Sequence, residues 1–286
     1  MVNVLSGKEI AGAIRAGLKS NIEPLPENPK LAAVIFGDDE GSLAYARSKA
    51  RTAGKIGIDV DILQFSDDIS TANAIQKLTD IAQNPQYHGI ILEEPLPKGI
   101  DPFPIREVIP PDMDVDCTTS TNLGKIISGE PLFYPATPQA IAEIFAHYGI
   151  DPERKHIVIV GRSRTVGLPL ANMLLRKKAG GNATVTVCHS RTPELHEFTR
   201  RADILVVAVG RPRFIDATHV SPNTIVIDVG TNYTDEGLVG DVDHDSVTEV
   251  ADAITPVPGG VGPVTVACLL KNVWTAFTNM QINNKR

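Results

Sequence analysis

The sequence predicts an α/β fold divided into two domains, and three observations carry that prediction. β-rich apolar runs alternate with helical stretches along the 286 residues, the pattern of a parallel sheet covered by helices. Residues 98–138, rich in Pro, Gly, Ser and Thr, form an irregular stretch too long for an ordinary connection inside one domain. After it, an apolar strand runs directly into a glycine turn and a helix start over 157–167.

In order, 31–36 is a short β-rich run closed by Gly37-Asp38-Asp39, and a helix follows over 42–55. Residues 58–65 make a second strand with partial alternation. Ser70 opens a helix running to Gln83, because its hydroxyl can accept from the first free amides. A third strand, 89–92, is stopped by Pro95-Leu96-Pro97. A helix over 137–147, with Pro138 in its first turn, leads into the second domain. There 156–160 is continuously apolar, as a fully buried strand is. Further strands lie at 184–188, 204–209 and 224–229, and a Gly/Pro loop over 256–263 precedes a final helix from 263 to 280. The domains are drawn as 1–138, with a C-terminal helix of about 268–286, and 139–267.

Acidic residues outnumber basic ones, 34 to 27, for a net charge of −7. Nucleic-acid binding needs a concentrated Lys/Arg face, whereas the basic residues here are scattered. The densest group, Arg176, Lys177 and Lys178, reads as a solvated helix end, so no nucleic-acid partner is expected. No apolar run approaches the roughly 18 residues that span a bilayer, and the segment MVNVLSGKEI lacks a signal-peptide profile. Cys117, Cys188 and Cys268, odd in number and widely spaced, read as thiols in a reducing compartment. A cytoplasmic chain with no membrane partner is expected. Asp241-x-Asp243-His244-Asp245 superficially matches a calcium loop but lacks its Gly and its Glu, and the histidines lack ligand spacing. No metal is expected, and no G-x-S-x-G elbow supports a serine hydrolase.

The segment Ile157-Val158-Ile159-Val160-Gly161-Arg162-Ser163-Arg164-Thr165-Val166-Gly167 reads as strand, tight turn and helix start. In a dinucleotide fold the first glycine permits the turn and the helix N-terminus receives the pyrophosphate. This copy departs from G-x-G-x-x-G, with Ser163 in the middle place and Gly167 one place late. A plain strand-to-helix turn is the competing reading, but a run of four strands with helical spacers favours dinucleotide binding. An NAD site would carry Asp or Glu at the end of the next strand for the ribose 2′-hydroxyl. Here Cys188-His189-Ser190-Arg191 offers no acid and one cation. Arg191, with Arg162 in the turn, suits a 2′-phosphate, so NADP is the expected cofactor.

Ser42, Tyr45 and Lys49 stand at i, i+3 and i+7, on one helical face. Gly37-Asp38-Asp39 precedes that helix at the carboxyl end of a strand, where open α/β sheets bind ligands. Glu93 and Glu94 lie at the carboxyl end of another strand of the same half. An aromatic, a lysine and a carboxylate can therefore converge. Taken alone, the spacing favours an amphipathic helix with an exposed Lys49 and a half-buried Tyr45.

Several segments together carry a resemblance. Thr255-Pro256-Val257-Pro258-Gly259-Gly260-Val261-Gly262-Pro263-Val264-Thr265-Val266 is similar to a T-P-V-P-G-G-V-G-P-M-T-V signature, with Val264 for Met. Tyr45-x-x-x-Lys49, Pro95-Leu96-Pro97, Asp112-x-Asp114-Val115-Asp116 and Thr137-Pro138 match in order. So do Gly161-Arg162-Ser163 with Val166-Gly167-x-Pro169, and Ile227-Asp228-Val229-Gly230. Nearly end to end, the chain resembles the methylenetetrahydrofolate dehydrogenase/cyclohydrolase family.

The resemblance implies two α/β domains, the second a Rossmann-like NADP-binding domain, with a folate cleft between them. It implies a homodimer through the NADP domain. It implies hydride transfer from 5,10-methylenetetrahydrofolate to NADP, then ring opening of the methenyl product by water to 10-formyltetrahydrofolate, in one-carbon metabolism and purine biosynthesis. Lys49 becomes the catalytic lysine, Tyr45 the ring stacked on folate and Asp116 the pterin anchor. A carboxylate can accept two parallel hydrogen bonds from a 2-amino-pyrimidinone edge. Gly161, Arg162, Ser163, Val166, Gly167, Ser190, Arg191, Gly210 and Thr231 would hold NADP. Pro258, Gly259, Gly260, Pro263 and Thr265 would line the folate side.

Glu93 joins the catalytic set as a departure, because the family has glutamine there. A carboxylate has no hydrogen to donate, and beside Lys49 it would favour an ammonium unable to take a proton from water. Dehydrogenase activity alone, with cyclohydrolase lost or weak, is therefore the alternative to the bifunctional enzyme. A folate- or nucleotide-binding regulator without turnover is more remote, since it has no chemical need for Lys49. Cys117-Thr118-Thr119 replaces a Gly-Phe-His-like stretch and changes the shape expected of the cleft, and Ala136 replaces a frequent Cys.

Overall fold

Unbroken runs of Val and Ile form strands buried on both faces, which only a sheet covered on each side can hold. The computed structural model describes residues 2–283. The chain runs β1 (Asn3–Val4), α1 (Lys8–Ile22), β2 (Lys30–Phe36), α2 (Glu40–Gly54), β3 (Asp59–Phe65), α3 (Thr71–Ala82) and β4 (Gly89–Leu92). Then come α4 (Pro102–Glu107), α5 (Ser120–Ser128), α6 (Ala136–His147), β5 (His156–Val160), α7 (Gly167–Leu175), β6 (Thr184–Cys188) and α8 (Leu195–Thr199). The rest is β7 (Ile204–Val207), β8 (Ile225–Asp228), β9 (Asn232–Thr234), β10 (Gly237–Val239), α9 (His244–Thr248), β11 (Ala253–Ile254) and α10 (Val261–Asn283). The C-terminal end of the final helix sought in the sequence, 284–286, lies outside the described residues. No helix among the described residues is long and apolar enough to cross a membrane.

The chain falls into two compact units, one of residues up to 12 with 135–268, the other of 13–134 with residues from 269 onward. A single cut at 138 differs from this at the N-terminus. The reason is that β1 pairs in parallel with β11, so the first residues add an edge strand to the later sheet. Two-residue strands such as these leave no periodic signal in a sequence.

The unit holding 13–134 contains a parallel sheet in the order β3-β2-β4. Its core gathers Val34, Phe36, Ile90 and Leu92 from the strands, with Ala74 and Leu78 from α3. Each large apolar side chain so buried contributes about 1.5–3 kcal/mol. Ser70 caps α3 by accepting from the Asn73 amide, as its sequence position requires. The stretch 98–138 is not irregular throughout, which corrects the sequence expectation. Asp101 accepts from the Phe103 amide to start α4, Thr119 accepts from the Asn122 amide to start α5, and Gly129, at φ 88°, ends α5 in the left-handed region.

The unit holding 135–268 contains a six-stranded parallel sheet in the order β1-β11-β8-β7-β5-β6, and β9 with β10 forms a separate antiparallel hairpin. The order β6-β5-β7 places a topological switch point at β5: the chain leaves it to one side and returns on the other. The strand expected over 204–209 is shorter in the fold, because Val209 gives its amide to Asp241 instead of to a neighbouring strand, and that expected over 224–229 runs from Ile225 to Asp228.

Asp114 organises the turn between α4 and α5. Its buried carboxylate accepts from the Thr118 amide and hydroxyl, at 2.9 and 3.2 Å, and from the Thr119 amide and hydroxyl, at 2.9 and 2.7 Å. Asn122 Nδ2 adds a fifth bond at 2.9 Å. Thus Thr118 and Thr119 serve the turn. Asp114→Ala leaves these buried donors without an acceptor and is expected to cost about 3–5 kcal/mol of stability. Chemical denaturation measures it, and a loss under about 0.5 kcal/mol, the range of an ordinary surface substitution, would contradict the assignment.

Candidate active site

Asp39 starts α2 by accepting at 2.7 Å from both the amide and the hydroxyl of Ser42. These bonds hold the exposed Asp39 carboxyl below its ordinary pKa. The Ser42 hydroxyl shares its one hydrogen between Asp39 and the Glu94 carbonyl, 3.1 Å away, tying the helix start to the end of β4. One helical turn and then another beyond Ser42 stand Tyr45 and Lys49. The sequence spacing alone favoured an exposed lysine, but Lys49 is 6% exposed, so that expectation is reversed, while Tyr45 is 42% exposed.

The reason for the reversal is Glu93. Lys49 Nζ donates to both of its carboxylate oxygens, at 2.6 and 2.8 Å, and Glu93 is as deeply buried as the lysine. A buried charge needs a partner, and each of these groups supplies the other's. The Tyr45 ring covers the ammonium, with Nζ 4.4 Å from the ring centroid. The Glu93 amide bonds the Val34 carbonyl at 2.9 Å, extending the β2–β4 ladder by one residue and fixing the carboxylate's origin. Glu94 points elsewhere and pairs with Arg106 of α4.

Asp116 joins this group through the chain beside β4. The Ile90 amide donates to the Met113 carbonyl, and Asn272 Nδ2 donates to the Val115 and Tyr134 carbonyls at 2.8 and 2.9 Å. Gly89 permits the approach, since a Cβ there would lie 2.7 Å from a Val115 methyl. Burial pushes the Asp116 carboxyl up to about 7, against the pull of Lys49 and with the help of Asp114, Glu93 and Glu94. Lysine, tyrosine and two acids thus lie together at the carboxyl end of the β2–β4 pair.

The second unit carries the glycine turn. Gly161 has φ 132°, and a Cβ there would lie 2.2 Å from the Ala208 carbonyl oxygen, so only glycine fits. Gly167 opens α7, and a Cβ on it would lie 2.0 Å from the Gly161 carbonyl oxygen. The glycine that falls one place late in the motif therefore does the close-packing task. Ser163 closes the turn by accepting from the Val166 amide at 3.0 Å through its hydroxyl and from the Leu168 amide at 3.1 Å through its carbonyl. Arg162 extends exposed from the turn. The Gly161 amide donates to the Cys188 carbonyl at 2.9 Å, which sets the end of β6 beside the turn. Beyond it, a tight turn closed by Thr192 and His189 leaves Ser190 and Arg191 exposed.

The carboxyl ends of β7 and β8 carry Gly210 and Thr231, both exposed. Thr255 is buried and its hydroxyl accepts from the Asp228 amide at 2.8 Å, anchoring the loop that holds Pro258, Gly259 and Gly260 to β8. Gly259 has φ 108°, and its carbonyl accepts from the Gly7 amide at 2.8 Å. Pro263 and Thr265 lie in the first turns of α10, where the Thr265 hydroxyl donates to the Val261 carbonyl. Sequence reasoning quoted Asp114, Asp228 and Asp241 within motifs but missed them as organisers, because a motif does not show which backbone amides an aspartate accepts from. Among the described residues no cluster of three or more His, Cys, Asp or Glu could hold a metal ion.

Comparison with known proteins accounts for both halves of this arrangement. The family model described as tetrahydrofolate dehydrogenase/cyclohydrolase, catalytic domain, matches residues 5–116. The one described as tetrahydrofolate dehydrogenase/cyclohydrolase, NAD(P)-binding domain, matches 135–281. "Bifunctional protein FolD 2" of Desulfitobacterium hafniense is 43% identical over 281 residues, covering 97% of this chain and 98% of its own. The crystal structure of the bifunctional FolD enzyme from Campylobacter jejuni superposes with a TM-score of 0.92 at 35% identity, covering 98% of this chain and 100% of its own. A Trypanosoma brucei methylenetetrahydrofolate dehydrogenase-cyclohydrolase, complexed with NADP cofactor and inhibitor, gives 0.90 at 32% identity, covering 98% of each chain. The chain belongs to the tetrahydrofolate dehydrogenase/cyclohydrolase family.

Proposed function

We infer that this chain oxidises 5,10-methylenetetrahydrofolate with NADP and opens the methenyl product to 10-formyltetrahydrofolate, ring opening being the slower step. The observation that carries the reading is the Lys49–Glu93 pair under Tyr45, at one sheet's carboxyl end, in a chain that also holds a glycine phosphate turn. A binding module has no chemical need for the buried lysine.

NADP, when bound, supplies the acceptor for hydride, so the chain's own task in that step is alignment. Tyr45 offers a half-exposed ring face on which a pterin can stack. Asp116 anchors the pterin's amino-pyrimidinone edge, its carboxylate accepting two hydrogen bonds. Glu93 lends negative charge where the methenyl cation develops. In ring opening, water adds to the methenyl carbon and loses a proton, and the bond from that carbon to N5 then breaks as the remaining hydroxyl proton passes to N5. Lys49 carries the proton lost by water only after its contact with Glu93 loosens, which slows the step. The names of the curated relatives, each bifunctional, support both activities.

The turn fits a dinucleotide, because two glycines keep it free of side chains where a pyrophosphate would lie against backbone. The absence of an acid after β6 and the exposure of Arg191 and Arg162 support a 2′-phosphate over a 2′-hydroxyl. In this reading the enzyme works as a homodimer in the cytoplasm and feeds one-carbon units to purine biosynthesis. The three cysteines, present as thiols, fit a reducing compartment.

An NADP-reduction assay with methylenetetrahydrofolate tests the function directly. Arg191→Ala is expected to raise the KM for NADP by the loss of a charge-assisted hydrogen bond, about 1.5–3 kcal/mol, and to leave the NAD value little changed. Equal effects on both cofactors would overturn the assignment. For Asp116, folate binds the ionised form of a carboxyl titrating at about 7, so affinity is lost as pH falls through that value. The folate KM is expected to rise by up to about tenfold per unit below it. Asp116→Asn should bind folate weakly and without this slope; a flat wild-type profile from pH 6 to 8, or unchanged affinity in the variant, contradicts the role.

A further inference from the structure

Two buried aspartates link the ends of neighbouring strands in the unit that carries the glycine turn. Asp228, the last residue of β8, accepts from the Gly230 amide at 2.9 Å, the Asp241 amide at 2.9 Å and the Val242 amide at 3.0 Å. Glycine is required on both sides of this contact. A Cβ at Gly240 would lie 1.7 Å from Asp228 Oδ2, and one at Gly230 would lie 2.3 Å from the Asp241 nitrogen. The backbone around Asp241 is thereby fixed to β8.

From that fixed point the Asp241 side chain, 0% exposed, reaches back to the end of β7. Oδ2 accepts from the Val209 amide at 2.6 Å and the Gly210 amide at 2.9 Å. Oδ1 accepts from the Arg211 amide at 2.8 Å and from Asn232 Nδ2 at 2.9 Å. Three consecutive amides that would otherwise be orphaned at a strand end are bound by one carboxylate. The segment they belong to backs directly onto the phosphate turn. The Ala208 amide donates to the Val160 carbonyl at 2.8 Å, and the Ala208 carbonyl occupies the space that a Cβ on Gly161 would need.

We propose that Asp241 is a positioning residue for the nicotinamide half of the cofactor: it shapes residues 209–211 at the switch point, where a dinucleotide lies outside the strand ends. β6 takes the adenosine half, on the far side of β5, so the ends of β7 and β8 face the other half. Asp241 acts through backbone and touches neither substrate. The inference rests on the NADP reading above and deepens it.

Asp241→Asn keeps the size of the side chain but turns one acceptor into a donor facing amides. Steady-state kinetics and binding are measured on wild type and variant with NADP, with methylenetetrahydrofolate and with adenosine 2′,5′-bisphosphate, which carries only the adenosine half. The variant is expected to raise the KM for NADP about 10- to 100-fold and to lower kcat, as a small misplacement of a reacting group does. The KM for folate and the affinity for the adenosine fragment should stay within about twofold, the scale of a contact left in place. Parallel weakening of NADP and the fragment would show a general structural role and overturn the proposal, as would an unchanged KM for NADP. Asn232→Ala, which removes a side-chain donor to Asp241 and leaves the amides in place, should give the same pattern at smaller size and serves if Asp241→Asn does not fold. Failure of the wild type to bind NADP would instead overturn the functional reading itself.

Discussion

One ammonium and one carboxylate buried against each other, Lys49 and Glu93, are the interaction on which the arrangement of this site depends. Removing either charge from water costs several kcal/mol, and only close pairing offsets that cost. At 2.6 and 2.8 Å the pair meets the requirement. It also demands that α2 begin where Asp39 and Ser42 start it, and that β4 end one residue beyond its ladder so that Glu93 faces the helix. Tyr45 and Asp116 are then placed by geometry already decided: the tyrosine one turn before the lysine, the aspartate on the strand-like segment beside β4.

Carboxylates that accept backbone amides do the corresponding work away from the reacting groups. Asp114 closes the turn that presents Asp116, and Asp228 and Asp241 link the ends of β8 and β7. A parallel sheet leaves amides unbonded at every carboxyl strand end, and ligands bind there because of it. An aspartate that takes several such amides at once converts a loose end into a rigid one. Burial raises Asp228, like Asp116, to about 7, and three amide donors oppose that shift. Rigid ends suit hydride transfer, in which the donor and acceptor carbons need alignment more than acid–base assistance.

How much of this was legible in the sequence varies with the kind of signal. Apolar runs exposed β2, β5 and β7, because burial on both faces demands continuous apolar residues. Ser70 and the 157–167 turn were legible because caps and glycines act locally. The helices α4 and α5 were missed although Asp101, Thr119 and Gly129 mark their ends, since they are only 6 and 9 residues long. In the site, Lys49, Tyr45 and Asp116 were reached through the resemblance, and helical spacing alone misjudged the lysine's burial. The spacing describes one helix, whereas the burial of Lys49 depends on a carboxylate 44 residues away. Gly167 was read as a departure from the motif and proves to fill the packing role one residue later.

The central claim is that the Lys49–Glu93 contact restrains ring opening while sparing hydride transfer. Methenyltetrahydrofolate absorbance, followed during NADP reduction by the wild type and by Glu93→Gln from pH 6 to 9, tests it most directly. The account predicts that the methenyl intermediate accumulates in the wild type and falls in the glutamine variant, with the rate of NADP reduction retained. A wild type that shows no methenyl accumulation across this range, and a variant that opens the ring no faster, would contradict it.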